Sequence, residues 1–260
     1  MKNRLTSVRF QKYIEYFIRL KRLNCFSVMP GQFGQVLFLF IILLSIVFSE
    51  AMAQNAIVLE NAKAGNPASE WQISGAGDLT IQGYATDISY NKGETARFKI
   101  KTNANAYTIN IYRLGYYQGN GGRLQGSATL TATLPQSQPN CLTNSGTGLL
   151  DCGNWAQSAT WAIPTTAVSG LYIAKLTRTN NNGSSHIVFI VRDDASNSDM
   201  LFKTSDATWQ AYNVYGDNNN GRSLYTGSGG KAVKVSYNRP FITRKVAVLL
   251  KIGCLMQNIQ

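Results

Sequence analysis

The C-terminal part of the chain holds a dense group of aromatic side chains that could bind a metal ion. Phenol oxygens are hard ligands that suit ferric iron, although a pair of tyrosines needs a carboxylate or a histidine to complete such a site. The alternative is that the same rings form a packed aromatic core beneath a loop, and the residue types alone leave both interpretations open. The members of this aromatic group are Trp209, Tyr212, Tyr215, Tyr225, Tyr237 and Arg239.

A nucleophilic hydrolase site is not favoured by the sequence. The chain has a single histidine, His186, and no Gly-x-Ser-x-Gly motif, so we do not expect a Ser-His-Asp triad. His186 lies in a predicted strand and has no evident catalytic partner. We therefore expect a histidine on the surface of that strand rather than a general base.

The N-terminal part of the chain has the features of an export signal. Residues 36–48 are uncharged and apolar, and as a helix they would span about 20 Å, less than the roughly 30 Å core of a bilayer. Ala51 and Ala53 follow with the small-x-small spacing that signal peptidase recognises, which predicts that residues 1–53 are removed after Ala53. An uncleaved signal anchor is the alternative. Both predict a secreted, periplasmic or cell-surface protein, and the membrane is contacted only if this segment stays uncleaved, and then only through it.

Two of the four cysteines are predicted to form a disulfide. Cys141 and Cys152 flank a stretch rich in glycine, serine and threonine, and an exported protein folds under oxidising conditions. A zinc site is less favoured, because the chain lacks paired cysteines at C-x₂-C spacing and has one histidine.

The positive charge of the chain does not indicate nucleic-acid binding. The formal net charge is +12, but beyond residue 53 no five lysines or arginines cluster together. Proteins that follow a phosphate backbone concentrate such residues in a stripe. We therefore expect no nucleic-acid partner.

Alternating apolar and polar residues, separated by turn signals, predict a mainly β protein. This pattern is typical of an immunoglobulin- or fibronectin-like β-sandwich, which we place at residues 54–192. A polar linker at 193–199 follows, and then shorter strands at 200–203 and 233–240. The strands predicted within the sandwich are 57–60, 71–73, 79–84, 88–90, 96–102, 107–114, 128–134, 158–163, 170–178 and 185–192.

Several sequence stretches together resemble one enzyme family. TSDATWQAYNVYG, GRSLYTG and KVSYNRPFITR are similar to the start of the catalytic domain in the N,N-dimethylformamidase large (beta) subunit-like family. EWQISGAGDLTIQGYATDIS, IYRLGYYQGNGGR, CGNWA and SGLYIAKL resemble the β-sandwich that precedes this domain in exported bacterial relatives. The resemblance covers residues 57–244. It implies that residues 200–244 are the truncated start of an α/β catalytic-type domain and that residues 245–260 are an aberrant tail.

The same resemblance implies an activity and a cofactor. Members of the family hydrolyse the C–N bond of small linear amides at an iron ion held by two tyrosines and one glutamate. The two tyrosines correspond to Tyr212 and Tyr225, whereas the glutamate belongs to a later segment that this chain does not contain. We therefore expect the chain as given to be inactive and to hold no iron, with a small amide as the substrate of the full-length protein.

A non-enzymatic function is the alternative. An exported β-sandwich can serve as an adhesion or carbohydrate-binding module, and aromatic side chains commonly stack on sugars in such modules. Tyr116 and Tyr117, next to the glycine-rich turn 119–122, are the candidates for an exposed contact with a surface glycan.

Overall fold

The chain divides into two compact units, residues 1–54 and residues 55–260. The predicted cleavage after Ala53 and the tail 245–260 lie outside the described residues, and only two helical residues of the first unit are described. Within the described part of the chain, no helix is long and apolar enough to cross a membrane. The computed structural model describes residues 40–41, 55–216, 221–227 and 229–242.

Two short helices precede the first strand, where strands 57–60 and 71–73 were predicted. Helix α1 spans Ala56–Asn61 and helix α2 spans Ala68–Trp71. The Asn55 side chain accepts a hydrogen bond of 2.8 Å from the backbone N–H two residues later, which satisfies a donor at the start of α1. The strand predictions are wrong here because a short apolar run fits either structure, and the cap and tertiary contacts select the helix.

Eleven strands follow in the described part of the chain, and most of them coincide with the alternating segments of the sequence. Strands β3, β4, β10 and β11 are the longest, and their ends lie within one residue of the predicted ends. The strands are β1 (Ile81–Ala85), β2 (Ser89–Asn91), β3 (Thr95–Thr102), β4 (Tyr107–Leu114), β5 (Gly122–Ser127), β6 (Thr129–Leu130), β7 (Leu142–Asn144), β8 (Leu149–Asp151), β9 (Ala159–Ala162), β10 (Gly170–Arg178) and β11 (Ser184–Arg192).

The strands form two larger sheets and one hairpin. One sheet has the order β1-β3-β9-β6, the other has the order β2-β11-β10-β4-β5, and β7 pairs with β8. All pairs are antiparallel except β2 with β11. The prediction of a mainly β fold is confirmed, and the two sheets are arranged as a β-sandwich. Its likeness to immunoglobulin or fibronectin domains stays a prediction.

The core of the sandwich is an aromatic cluster contributed by both sheets. Phe98 and Trp161 come from the first sheet, and Tyr172 and Phe189 come from the second. The ring of Phe189 lies 5.6 Å from Phe98, 6.0 Å from Trp161 and 5.7 Å from Tyr172, measured between centroids. Since inward-facing residues alternate along each strand, these rings fill the space between the sheets.

A buried charged network attaches α1 to the second sheet. Glu60 is buried, and its carboxylate accepts hydrogen bonds from Lys63 at 2.6 Å and from the Tyr117 hydroxyl at 3.0 Å. Arg113, also buried, donates to the Tyr117 hydroxyl at 3.1 Å. Burial acts to raise the pKa of Glu60, but the hydrogen bonds and positive charges of its neighbours outweigh it, so the net pKa is lowered.

We expect Glu60→Gln to destabilise the protein by about 1.5–3 kcal/mol at neutral pH, the usual range for hydrogen bonds to a charged group. Because the folded-state pKa is below its unfolded value near 4.5, the ionised carboxylate stabilises the fold above that pH. This contribution is lost as the pH falls through the folded-state value. Urea unfolding at pH 7 and pH 3 checks this.

The exposed Glu70→Gln serves as the control for this prediction, because it is the same chemical change outside the network. A difference between wild type and Glu60→Gln that stays constant from pH 7 to pH 3 would contradict the assignment.

Candidate functional site

The two tyrosines singled out in the sequence lie against each other. The rings of Tyr212 and Tyr225 are stacked, with centroids 4.2 Å apart and planes inclined by 11°. Tyr212 is 49% exposed and Tyr225 is 57% exposed, so this tyrosine pair lies at the surface and not in the core. The fold therefore brings together two phenol groups that are separated along the chain.

Tyr212 lies at the end of a helix that the sequence did not predict. Helix α3 spans Asp206–Tyr212 and lies in the C-terminal segment, by which we mean the described residues between 205 and 242. Residues 200–203 and 233–240, predicted as strands, form no strand. The backbone of residues 233–240 has other partners: the N–H of Val233, for example, donates to a carbonyl of the β7–β8 hairpin at 2.8 Å.

Tyr225 is held by a tight turn built around Ser223. The buried Ser223 hydroxyl accepts hydrogen bonds from the backbone N–H groups of Tyr225 at 3.1 Å and Thr226 at 2.9 Å. The backbone N–H of Leu224 donates to the carbonyl of Ala211 at 2.9 Å, which ties the turn directly to α3. These bonds bring the two ring-bearing segments into contact.

Asn213 fixes the chain where α3 ends. The Nδ2 group of its buried side chain donates to the carbonyl of Pro240 at 2.9 Å. The side-chain Oδ1 accepts a hydrogen bond from the backbone N–H of Ile242 at 3.2 Å. Our sequence interpretation assigned no role to Asn213 or Ser223. Asparagine and serine beside turns commonly bond to nearby backbone groups, and this tendency is the signal that was available.

The other members of the aromatic group have different surroundings. Tyr215 is buried and packs edge-on against Trp155, with centroids 6.4 Å apart. Tyr237 is partly exposed, and its hydroxyl donates to Asp206 at 2.8 Å. The packed-core interpretation therefore holds for Tyr215, whereas Tyr212 and Tyr225 form a surface pair.

The predicted disulfide between Cys141 and Cys152 is present and closes the β7–β8 hairpin. This disulfide hairpin, residues 141–152, supports the C-terminal segment. The backbone N–H of Cys152 donates to the carbonyl of Asn238 at 2.6 Å, and the Ser236 hydroxyl donates to Asp151 at 2.6 Å. The hairpin in turn is tied to the sandwich, because the Tyr84 hydroxyl donates to the carbonyl of Cys152 at 2.7 Å.

His186 lies on β11 as predicted, but it is buried and not on the strand surface. Its Nε2 is 2.6 Å from the carbonyl oxygen of Trp71, at the end of α2. The surface prediction is wrong because strand periodicity does not show which segment covers the outer face of a sheet. The imidazole helps to line a small pocket between the sandwich and the C-terminal segment, together with Gln210, Tyr237 and Arg239.

Of Tyr116 and Tyr117, which were both expected to be exposed, only Tyr116 is. Tyr116 is 39% exposed, but Tyr117 is fully buried in the network around Glu60. A single exposed ring remains beside the glycine-rich turn, so the structure does not support a paired aromatic platform for a glycan at this position.

The side chains near the tyrosine pair fit an iron site only in part. Two phenol oxygens suit ferric iron as hard ligands. In the ranges that the structure describes, no group of three or more histidine, cysteine, aspartate or glutamate side chains could hold a metal ion. The tyrosine pair thus supplies part of a donor set, and the carboxylate ligand has no assigned residue among those described.

Comparison with known proteins identifies one family. The family model described as N,N-dimethylformamidase beta subunit-like, C-terminal, matches residues 108–252, more than half of the chain. The matched range begins in β4 and includes the disulfide hairpin, α3 and both members of the tyrosine pair. A search of curated proteins found no match to the chain.

Proposed function

Because the chain belongs to the N,N-dimethylformamidase beta subunit-like family, we propose that it forms part of a hydrolytic site for the C–N bond of small linear amides. Tyr212 and Tyr225 are two of the ligands of an iron ion in this proposal. The observation that carries the proposal is the stacking of these two exposed rings at 4.2 Å.

The chain's own residues hold the two phenol groups and leave them accessible. Helix α3 presents Tyr212 at its last turn, and the Ser223 turn presents Tyr225 opposite to it. When bound, iron supplies Lewis-acid polarisation of the amide carbonyl. No described residue is assigned as the carboxylate ligand of the iron. The tyrosine pair therefore has a metal-binding role, and no step of the hydrolysis is derived from it.

We also propose that the protein functions outside the cytoplasm, secreted, periplasmic or at the cell surface. The disulfide between Cys141 and Cys152 supports this, because such bonds persist under oxidising conditions. The apolar run 36–48, followed by Ala51 and Ala53, supports export by a signal segment. The proposed partner is a small amide, with no role for nucleic acid.

The iron-binding role is tested in the full-length protein by Tyr212→Phe, Tyr225→Phe and the double variant. Phenylalanine keeps the stacked rings and removes only the hydroxyl groups. We expect each single change to weaken ferric binding by at least the roughly tenfold that loss of an outer-shell partner costs, because a direct ligand is removed, and the double change to abolish the visible tyrosinate-to-iron absorption. Ferric titration followed by absorption spectroscopy measures both effects, and turnover of formamide and dimethylformamide is measured in parallel.

Tyr116→Phe is the matched control, because Tyr116 is a partly exposed tyrosine far along the chain from the pair. It should leave ferric titration unchanged. An absorption band that survives in the double variant would remove Tyr212 and Tyr225 from the site, and a full-length wild-type protein that binds no ferric iron would contradict the iron proposal.

A further inference from the structure

Arg239 is a buried cation whose terminal nitrogens are directed at backbone carbonyls. Its Nη1 donates to the carbonyl of Arg222 at 3.0 Å, and its Nη2 donates to the carbonyls of Gln210 at 3.1 Å and Asn213 at 3.0 Å. Its Nε has no hydrogen-bond partner among the described residues. Burial lowers the pKa of Arg239 to about 10.

The three carbonyls belong to the two segments that carry the tyrosine pair. Gln210 and Asn213 flank Tyr212 at the end of α3, where helix carbonyls lose their intrahelical partners. Arg222 precedes the Ser223 turn that holds Tyr225. One guanidinium therefore connects the backbone at the end of α3, which carries Tyr212, with the backbone next to the turn that carries Tyr225.

The chemistry of the side chain explains why an arginine occupies this position. A guanidinium is planar and offers donors in a rigid fork, so one side chain can bond to two separate segments in a fixed geometry. A lysine has a single nitrogen on a flexible chain and cannot reproduce the fork. Burying a charge is unfavourable unless its hydrogen bonds offset the loss of water, which indicates that these contacts hold Arg239 in place.

We propose that Arg239 is a positioning residue, which sets the stacking of Tyr212 on Tyr225 by bridging the carbonyls of Gln210, Asn213 and Arg222. It does not touch a ligand itself. Its effect on metal binding rests on the function proposed above, whereas its effect on the ring geometry does not. The inference therefore has a structural readout that is independent of iron.

The structural readout is oxidative coupling of the two rings. Peroxidase with hydrogen peroxide joins neighbouring phenols into dityrosine, and mass spectrometry of the digested protein identifies which tyrosines are linked. We expect wild type to give a Tyr212–Tyr225 product within one chain. Arg239→Lys should reduce its yield severalfold, because the lysine cannot hold both segments. In the full-length protein, Arg239→Lys should also weaken ferric binding by about tenfold, the lower end for loss of an outer partner of a metal ligand.

Arg113→Lys is the matched control. Arg113 is as fully buried as Arg239 and also donates to backbone carbonyls, those of Val168 and Ser169, but its contacts are with α1 and the sandwich. It should lower the melting temperature without changing the yield of the Tyr212–Tyr225 product. A general loss of stability would reduce the yield in both variants and would overturn the proposal.

Arg239→Gln covers the case in which Arg239→Lys fails to fold. Its neutral amide removes the buried charge and can still donate to one segment, but not to both. The linked product should again fall severalfold. An unchanged yield in a folded Arg239 variant, or no Tyr212–Tyr225 product in wild type, would overturn the inference. A yield that depends on Arg239, found together with a full-length protein that binds no ferric iron, would support the positioning role and contradict the iron proposal alone.

Discussion

Phe189→Ala is expected to lower the free energy of unfolding by about 3–5 kcal/mol, the range for removing a large buried ring. Phe189 is fully buried and lies within 6.1 Å of four other rings, measured between centroids. Its removal leaves a cavity between the two sheets that neighbouring rings can fill only in part. Chemical denaturation followed by tryptophan fluorescence measures the change, since Trp161 is one of these four neighbours.

Phe202→Ala provides the matched control, because it is the same substitution at a side chain that is 49% exposed. We expect a change within about 0.5 kcal/mol, as for most surface substitutions. If the two variants lost similar stability, the assignment of Phe189 to the centre of the core would be wrong.

Replacing Cys141 and Cys152 together by alanine should lower the free energy of unfolding by about 3 kcal/mol. The disulfide closes a short loop, and removing it gives the unfolded chain additional conformations. The contacts of the disulfide hairpin with Asn238 and Ser236 should loosen as well. Thermal unfolding with and without dithiothreitol measures the effect.

The reductant supplies its own control for the disulfide. Dithiothreitol should lower the melting temperature of wild type and leave that of the alanine variant unchanged. Because the hairpin supports the segment that contains Arg239, we also expect the yield of the Tyr212–Tyr225 product to fall in the alanine variant. Equal melting temperatures for oxidised wild type and the alanine variant would show that the disulfide adds no stability.

The long strands were predictable because their residues alternate strictly along the chain. In β3, for example, Ala96, Phe98 and Ile100 are buried while the residues between them are more exposed. This local pattern has the same period as the strand, so no knowledge of distant segments is needed. The pairing of Cys141 with Cys152 was predictable for a similar reason, since both cysteines lie in one loop.

The shorter elements were not predictable from local pattern. Residues 57–60 form part of a helix because Asn55 caps it and because Glu60 reaches a buried network with Tyr117 and Arg113. Residues 233–240 form no strand, and the backbone hydrogen bonds that this range makes to distant segments are directed to the disulfide hairpin. Such partners are distant in sequence, so the pattern within a window of a few residues cannot predict these contacts.

The sequence by itself determined the mainly β fold and the disulfide, and its family resemblance singled out the two tyrosines that we propose as iron ligands. Only the tertiary structure decided that Tyr212 and Tyr225 stack at the surface while Tyr215 and Tyr117 are buried. The physical reason is that burial and ring contact depend on which segments meet in space. Residue type specifies what a phenol can do, whereas the contacts around it specify whether it is able to do so.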